Sequence, residues 1–144
     1  MGSSASTGAP KPPDVFLGGV CGSTTWRADA AIPALLARRL TFYNPQVGPG
    51  EWHDGMIALE AAAKARARVL LFVITGETSA IGSMVEAAAL CADPASRGRM
   101  LLVVHDYPGD ADVDRGRKYL RDCARTHGVR LFADLGEALE GLRI

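Results

Sequence analysis

The segment VLLFVIT, residues 69–75, constrains the fold more than any other part of the chain because it is apolar at every position before its final threonine. A strand with one wet face alternates apolar and polar residues, so an uninterrupted apolar run indicates a strand covered on both faces. Shorter runs at residues 14–19, 41–44, 101–105 and 129–132 also predict strands. Because segments of helical period separate these runs, the pattern predicts βα units and a parallel sheet.

Five segments of helical period accompany the strands, at residues 27–39, 51–67, 81–91, 113–126 and 135–142. Pro33 falls early in the first of them, where it is either tolerated or marks the true start of the helix. Right-handed crossovers place helices on both faces of a parallel sheet. The sequence therefore predicts the α/β class, with a doubly wound, flavodoxin-like sheet of five parallel strands.

The length of 144 residues suits one domain, and a chain of this size buries roughly 70% of the surface that its unfolded form exposes. Residues 1–13 are rich in Ser, Gly, Ala and Pro, which predicts a flexible N-terminal tail without the apolar stretch of a secretory signal. Residues 14–144 are then expected to form the single α/β domain.

The balance of charges argues against polynucleotides and anionic membranes as partners. Sixteen basic and sixteen acidic residues give a formal net charge of zero, so the chain has no long-range field to attract polynucleotides or anionic membranes. No apolar run approaches the roughly 20 residues of a membrane span. Three cysteines, Cys21, Cys91 and Cys123, lack metal-type spacing and suit a reducing compartment, so a cytoplasmic protein without metal or redox cofactor is expected.

The loop after the first strand, residues 18–27, is the first candidate binding segment. Glycines allow a ligand to approach the backbone, and hydroxyls can donate to sugar or phosphate oxygens near a helix N-terminus. The segment matches neither a Walker loop nor a GxGxxG fingerprint, and a tight turn with Ser23 or Thr24 as N-cap explains it equally well. The predicted substrate-binding residues here are Gly18, Gly19, Ser23, Thr24, Trp26 and Arg27.

The loop after the second strand offers Asn44 and Gln46, whose amides can read the edge of a base. Trp52 follows, and an indole either stacks on a base or packs as a core or interface aromatic. His53 and Asp54 are adjacent, and neighbours on a helix point in different directions. Asn44, Gln46 and Trp52 are therefore predicted to bind substrate, and His53 is left out of the catalytic set.

The loop after the central strand leads to Glu86, an acid among small and apolar neighbours near the start of a predicted helix. A carboxylate there is costly to bury without a purpose or a partner. It is either a nucleophile for a sugar anomeric carbon or a first-turn acid that favours the helix dipole. Gly82 and Ser83 of the same loop are predicted substrate-binding residues. These loops together predict a nucleoside-like or nucleotide-like ligand at the carboxyl edge of the sheet.

Several of these segments, taken together, resemble the nucleoside 2-deoxyribosyltransferase family, and more closely its deoxyribosyltransferase-like branch. The matching pieces are VFLGGVCGSTTWR, NPQV, VLLFVIT and IGSMVEAAAL, which extend from residue 14 to about residue 104. The most specific combination is the apolar strand, the Gly/Ser loop and the glutamate on the next helix, together with the opening GG-x-x-G-S-T-x-W-R.

The resemblance implies that Glu86 is the nucleophile that takes the deoxyribosyl group from one base and passes it to another. It also implies that Glu60 assists the departing base, although Glu60 is equally placed to pair with Lys64 at i and i+4. The aspartate that the family carries before the Gly-rich turn has no counterpart, because Ala80 occupies its position and Glu77 is the nearest acid.

Other uses of the same pocket stay open at this point. Resolution of the glycosyl ester by water makes the chain an N-glycosidase, and Arg27 with the Ser/Thr cluster favours a phosphorylated substrate. An NAD-cleaving hydrolase similar to the Toll/interleukin-receptor class also places a glutamate on a helix of such a sheet. The non-enzyme alternative is a nucleotide-binding domain without turnover. A homo-oligomer is compatible with the chain, since small open pockets often borrow walls from a neighbour.

Overall fold

A computed structural model describes residues 11–48 and 50–144, so residues 1–10 of the predicted tail lie outside the described residues. The strands are β1 (Val15–Gly19), β2 (Phe42–Tyr43), β3 (Val69–Ile74), β4 (Met100–Val104) and β5 (Arg130–Phe132). The α-helices are α1 (Ile32–Ala37), α2 (Gly55–Arg66), α3 (Ile81–Ala92), α4 (Ala111–Thr126) and α5 (Leu135–Glu140). A π-helical turn, Arg27–Ala31, precedes α1, and a 3₁₀ turn, Arg97–Arg99, precedes β4.

The five strands form one parallel sheet in the order β2-β1-β3-β4-β5. This is the flavodoxin-like order, and it confirms the predicted fold class. All six residues of β3 are buried, as the unbroken apolar run in the sequence predicted. β2 lies on one side of β1, and β3 and the later strands lie on the other side. The strand order therefore reverses beside β1.

Two apolar clusters cover the two faces of the sheet. One contains Ala63 of α2, Ala87 of α3 and Leu120 of α4, packed against Phe16 and Phe72. The other contains Leu35 of α1 and Ala138 of α5, together with the residues of β1, β3 and β4 that point to the opposite side. The helices α2, α3 and α4 therefore form one layer, and α1 with α5 forms the other.

The predicted helix at residues 51–67 begins later than expected, at Gly55. The carboxylate of Glu51 accepts a hydrogen bond from the backbone N–H of Gly48 at 3.1 Å, which holds Glu51 in the preceding loop. Trp52 and His53 are consequently loop residues and not helical ones. The pattern of apolar residues carried no information about this local side-chain contact.

The helices predicted at residues 27–39 and 113–126 also differ from the structure at their N-terminal ends. The first divides into the π-helical turn and α1, and Pro33 lies in the first turn of α1. The second starts at Ala111 because Asp110 caps it, accepting from the N–H groups of Asp112 at 3.0 Å and Val113 at 3.1 Å.

Within the described residues, no helix combines the length and the apolar character that crossing a membrane requires.

Candidate functional site

The candidate site lies beside β1, where the strand order reverses and the loops after β1 and β3 diverge from the sheet. Ligands of open parallel sheets bind in the crevice that forms at such a point. The helices α2 and α3 lie on one face of the sheet here. Their side chains, together with the loops at the carboxyl ends of the strands, supply the polar groups near this crevice.

Glu86 projects from the middle of α3 toward α2, where its carboxylate forms an ion pair with the ammonium of Lys64. The two side chains are half-buried, with 38% of the Glu86 side chain and 21% of the Lys64 side chain exposed. Because Lys64 donates to Oε2 of Glu86, the second carboxylate oxygen is the one less engaged by this pair. The predicted alternative, Lys64 paired with Glu60 on the same helix, gives way to this tertiary contact.

An aromatic group from β1 and β2 lies below this ion pair. The Lys64 ammonium lies 5.6 Å from the ring centroid of Phe16, and the rings of Phe16 and Tyr43 are stacked with their centroids 5.7 Å apart. Burial raises the pKa of Tyr43, and the negative charge of Glu60 raises it further. Glu60 lies on α2, in the same helical layer as Glu86 on α3.

The loop after β1 is held together by side chains that donate hydrogen bonds to its main-chain carbonyls. The carbonyl oxygen of Val20 accepts hydrogen bonds from Thr24 Oγ1 at 3.1 Å, Trp26 Nε1 at 3.2 Å and Arg27 at 2.6 Å. Thr24 and Trp26 are both buried. In this structure their polar atoms bond within the turn and do not point to an open ligand space. The N-cap role that the tight-turn alternative gave to Ser23 or Thr24 is wrong, because Trp26 precedes the helical turn and no side chain accepts a capping hydrogen bond there.

Arg27 lies in the same arrangement and is fully buried, with 0% of the residue exposed. Its guanidinium donates to the carbonyls of Leu17 at 3.0 Å and Gly19 at 3.4 Å, besides that of Val20. Burial is the main influence on this group and lowers the pKa of Arg27. All three guanidinium nitrogens thus donate to backbone carbonyls, and recognition of a phosphate by Arg27 stays a prediction.

Gly18 and Gly19 allow β1 to pack closely against β3. A Cβ atom on Gly18 would overlap the ring of Phe72, and one on Gly19 would overlap the backbone carbonyl of Val73. Gly19 also has φ of 109°, which side chains rarely adopt. The sheet alone thus accounts for both glycines, whereas Ser23 at the tip of the loop is exposed to solvent.

The loop after β2 contacts the loop after β1 through Gln46. Its side-chain amide donates to the carbonyls of Gly22 at 2.8 Å and Thr24 at 2.9 Å. The side chain of Asn44 accepts from the backbone N–H of Gln46 at 3.0 Å. Trp52 is 51% exposed, so its indole is accessible to a ligand or partner and does not belong to the core.

The loop after β3 depends on Arg117, a buried residue of α4. The guanidinium of Arg117 donates to the carbonyls of Thr75, Thr78 and Ser79 at 2.9 to 3.1 Å, and to that of His105 at 2.9 Å. This fixes the loop that leads to Ala80, which has left-handed backbone angles of φ 51° and ψ 40° directly before α3. Burial lowers the pKa of Arg117 more than any other influence on it.

Gly82 and Ser83 lie in the first turn of α3, where Gly82 is exposed and Ser83 is half-buried. Ala80 occupies the position where the family resemblance implies an aspartate, so position 80 offers no carboxylate to a ligand. Glu77, the nearest acid in the sequence, is exposed on the same loop, where its N–H approaches the Thr75 hydroxyl at 3.5 Å. The ends of β1 and β3 therefore present mainly main-chain groups and small hydroxyls.

Lys64, Tyr43 and Arg117 are residues near this site that the sequence did not single out. Lys64 also lines a cavity of about 290 Å³ between α2 and the segment that leads from α3 to β4, toward the amino ends of the strands. Only the i,i+4 relation of Glu60 and Lys64 signalled that Lys64 had an acidic partner, and it indicated a different one.

Across residues 11–48 and 50–144, no three His, Cys, Asp or Glu side chains are grouped as metal ligands. Comparison with protein families gives one assignment: the family model described as "Nucleoside 2-deoxyribosyltransferase like" matches residues 12–107. The match includes β1 to β4, α1 to α3 and the Lys64–Glu86 ion pair. A search of curated protein sequences finds no match.

Proposed function

The chain belongs to the nucleoside 2-deoxyribosyltransferase-like family, and from this premise we propose that it cleaves the N-glycosidic bond of a nucleoside or nucleotide through Glu86. The observation that carries the proposal is the half-buried Glu86 carboxylate on α3, which faces Lys64 beside the strand-order reversal. A carboxylate that is partly desolvated and held by one partner suits nucleophilic attack better than a freely rotating surface acid.

In the proposed reaction, a carboxylate oxygen of Glu86 attacks the anomeric carbon of the sugar and forms a glycosyl ester. The bond from that carbon to the base nitrogen breaks, and its electron pair leaves with the base, which takes up a proton. In the second step the nitrogen of another base attacks the same carbon and releases the Glu86 carboxylate. Two displacements at one carbon retain its configuration.

Lys64 and Glu60 have supporting roles in this proposal. Lys64 holds one oxygen of Glu86, which directs the other oxygen toward the sugar. Glu60 lies one turn earlier on α2 and influences Tyr43 electrostatically, so it is our candidate for the group that manages the proton of the departing base. The solvent-accessible residues Ser23, Gly82 and Ser83 border the ligand on the loop side.

Hydrolysis is the second candidate, and the exposure of Glu86 favours it. With 38% of its side chain accessible, a glycosyl ester on Glu86 is open to water. Ala80 stands where the family resemblance expects an aspartate, so this chain has fewer groups with which to hold an acceptor base. Water would then attack the anomeric carbon and release free sugar.

A chromatographic assay separates these outcomes. The chain is incubated with deoxynucleosides, ribonucleosides, their 5′-monophosphates and NAD, with and without a second free base. A new nucleoside indicates transfer, free base with free sugar indicates hydrolysis, and nicotinamide release from NAD indicates the Toll/interleukin-receptor-like alternative. A thermal shift without turnover identifies a binding domain and contradicts the proposed reaction.

The Glu86→Gln variant tests the nucleophile. Glutamine keeps the shape of the side chain but removes its charge, so we expect cleavage to fall by at least about 1,000-fold, with the unfolding transition retained. Glu140→Gln is the matched control, because Glu140 is an exposed acid on α5, in the opposite helical layer. Wild-type turnover in the Glu86→Gln variant would exclude the nucleophile assignment.

A further inference from the structure

Basic residues concentrate at the amino edge of the sheet, where the five parallel strands begin. This edge consists of the segments that run from the last residue of each helix to the first residue of the next strand, together with the residues before β1 and after α5. The segments are residues 11–15, 37–42, 66–69, 92–100, 126–130 and 140–144. Their nine basic residues are Lys11, Arg38, Arg39, Arg66, Arg68, Arg97, Arg99, Arg130 and Arg143, and their three acidic residues are Asp14, Asp93 and Glu140.

The fold therefore separates charges that cancel in the sequence. Nine basic and three acidic residues give the amino edge a formal charge of +6, and the seven basic and thirteen acidic residues elsewhere give −6. The prediction against polynucleotides used only the sum of these charges. Cations near helix C-termini also compensate the helix dipoles, but five C-termini carry only about −2.5 charges together, at roughly −0.5 each. More than half of the positive excess at the amino edge remains.

Most cations of the amino edge are accessible to a partner. Arg97 and Arg99 are half-buried, and the other seven basic residues are exposed. Arg68 pairs with Asp14 at 3.6 Å. Four further guanidinium groups donate to backbone carbonyls, which orient these groups and leave their positive charge in place; they belong to Arg38, Arg99, Arg130 and Arg143. The edge thus presents oriented positive charge to solvent.

The composition of the amino edge indicates the chemistry of its partner. Eight of the nine basic residues are arginines, whose planar guanidinium groups suit bidentate contacts with phosphate oxygens. Ile144, at 40%, is the large apolar side chain exposed in these segments, whereas a protein interface or a membrane anchor needs an apolar centre. Phe42 is the one Phe, Trp or Tyr residue in these segments and packs on the core, so unpaired bases would find no ring on which to stack.

We propose that the amino edge binds the phosphate backbone of a nucleic-acid duplex without reading its sequence. Five neighbouring strands at a spacing of about 4.8 Å make this edge about 19 Å long. A duplex carries about eleven phosphate charges over that distance, so it can match the positive excess of the edge. Contacts with the backbone position a protein and carry no sequence information. The proposal concerns the end of the sheet opposite the candidate site and stands independently of the reaction proposed for Glu86.

Charge reversal locates the binding surface. Arg39→Glu and Arg97→Glu, which lie before β2 and β4, should each weaken duplex binding by at least about fivefold, because a phosphate contact becomes a repulsion. Arg115→Glu is the matched control with the same change in net charge, because 58% of its side chain is exposed in the first half of α4 and it pairs with Asp112 at 2.9 Å. It should bind as tightly as the wild type, and all three variants should keep the unfolding transition. Equal losses in the edge and control variants, or no loss when Arg39→Glu and Arg97→Glu are combined, would contradict this surface.

Fluorescence anisotropy of the full chain with labelled duplexes of about 20 base pairs tests the binding itself, with DNA and RNA of one sequence as separate arms. Binding in either arm supports the proposal, and the tighter arm identifies the source of the phosphates. About five phosphate contacts should weaken the affinity roughly 500-fold between about 50 mM and 200 mM salt, and a scrambled duplex should bind equally well. Absence of duplex binding at the lower salt concentration, or equally tight binding of a single strand, of polyglutamate or of vesicles with anionic lipid, would overturn the proposal.

Discussion

The ammonium of Lys64 on α2 contacts the carboxylate of Glu86 on α3, beside the aromatic rings of β1 and β2. The two residues are 22 positions apart in the chain and come from consecutive βα units. This contact makes the proposed nucleophile part of a tertiary arrangement that a lone first-turn acid would not need. It also makes Lys64 the first residue to test after Glu86 itself.

Replacing Lys64 with methionine keeps the length of the side chain but removes its charge. We expect kcat for glycosidic cleavage to fall by about 100-fold, the size of loss that misplacing a reacting group produces. The free energy of unfolding should change by less than about 1 kcal/mol, since a partly exposed ion pair contributes little to stability. Steady-state kinetics and urea unfolding measure the two effects separately.

Lys118→Met is the matched control for that variant, because Lys118 is a lysine with 66% of its side chain exposed and a carboxylate partner, Asp114, at 3.5 Å. Its kcat should equal that of the wild type. If Lys64→Met also retains the wild-type kcat, the ion pair has a packing role only and Glu86 does not depend on it.

Arg117 is predicted to stabilise the fold much more than any exposed arginine of α4. Its loss leaves the carbonyls of two loops without a buried donor, so Arg117→Met should lower the free energy of unfolding by at least about 3 kcal/mol. Arg125→Met on the same helix, where the side chain is 62% exposed, should change it by less than about 1 kcal/mol. Equal urea midpoints for the two variants would contradict this role.

The sequence predicted the sheet well because β3 has a pattern with few alternatives. An apolar run without alternation cannot lie at a wet edge, and the helical segments on either side of it require crossovers. Right-handed crossovers then place the helices on both faces of the sheet, as the structure shows. Helix starts were less predictable, as Glu51 and Asp110 show, because one hydrogen bond between a side chain and the backbone moves them by several residues.

The candidate site was predicted less completely because the destination of a long side chain depends on tertiary structure. Arg27 looked like a phosphate ligand in a Ser/Thr-rich loop, yet its guanidinium turns inward to three carbonyls. Lys64 looked like a partner for Glu60, yet it reaches the neighbouring helix. Local spacing rules describe contacts within one helix and cannot rank them against contacts formed when helices pack.

Gly19→Ala is predicted to be far more destabilising than Gly22→Ala. Both glycines have positive φ, but a Cβ on Gly22 meets open space, whereas one on Gly19 overlaps the backbone of Val73. Gly22→Ala should therefore cost only about 1 kcal/mol, the strain of a left-handed residue. Gly19→Ala should cost several times as much, because β1 must move away from β3. Thermal unfolding of the two variants compares these costs, and similar midpoints would contradict the packing explanation.

Asp14 should make the free energy of unfolding depend on pH in the acid range. The backbone N–H of Thr41 donates to its carboxylate at 2.8 Å, and this is the largest of the influences that together lower the pKa of Asp14 below its ordinary value of 3.8. A lowered folded-state pKa stabilises the fold above the unfolded-state pKa, and that contribution is lost as the pH falls below about 3.8. Asp14→Asn should thus be less stable than the wild type at pH 7, with the difference shrinking between pH 4 and pH 2. Arg68→Met, which removes the weaker contact at 3.6 Å, should have a smaller effect. A difference between wild type and Asp14→Asn that stays constant in urea unfolding over this pH range would exclude the titration of Asp14 as its source.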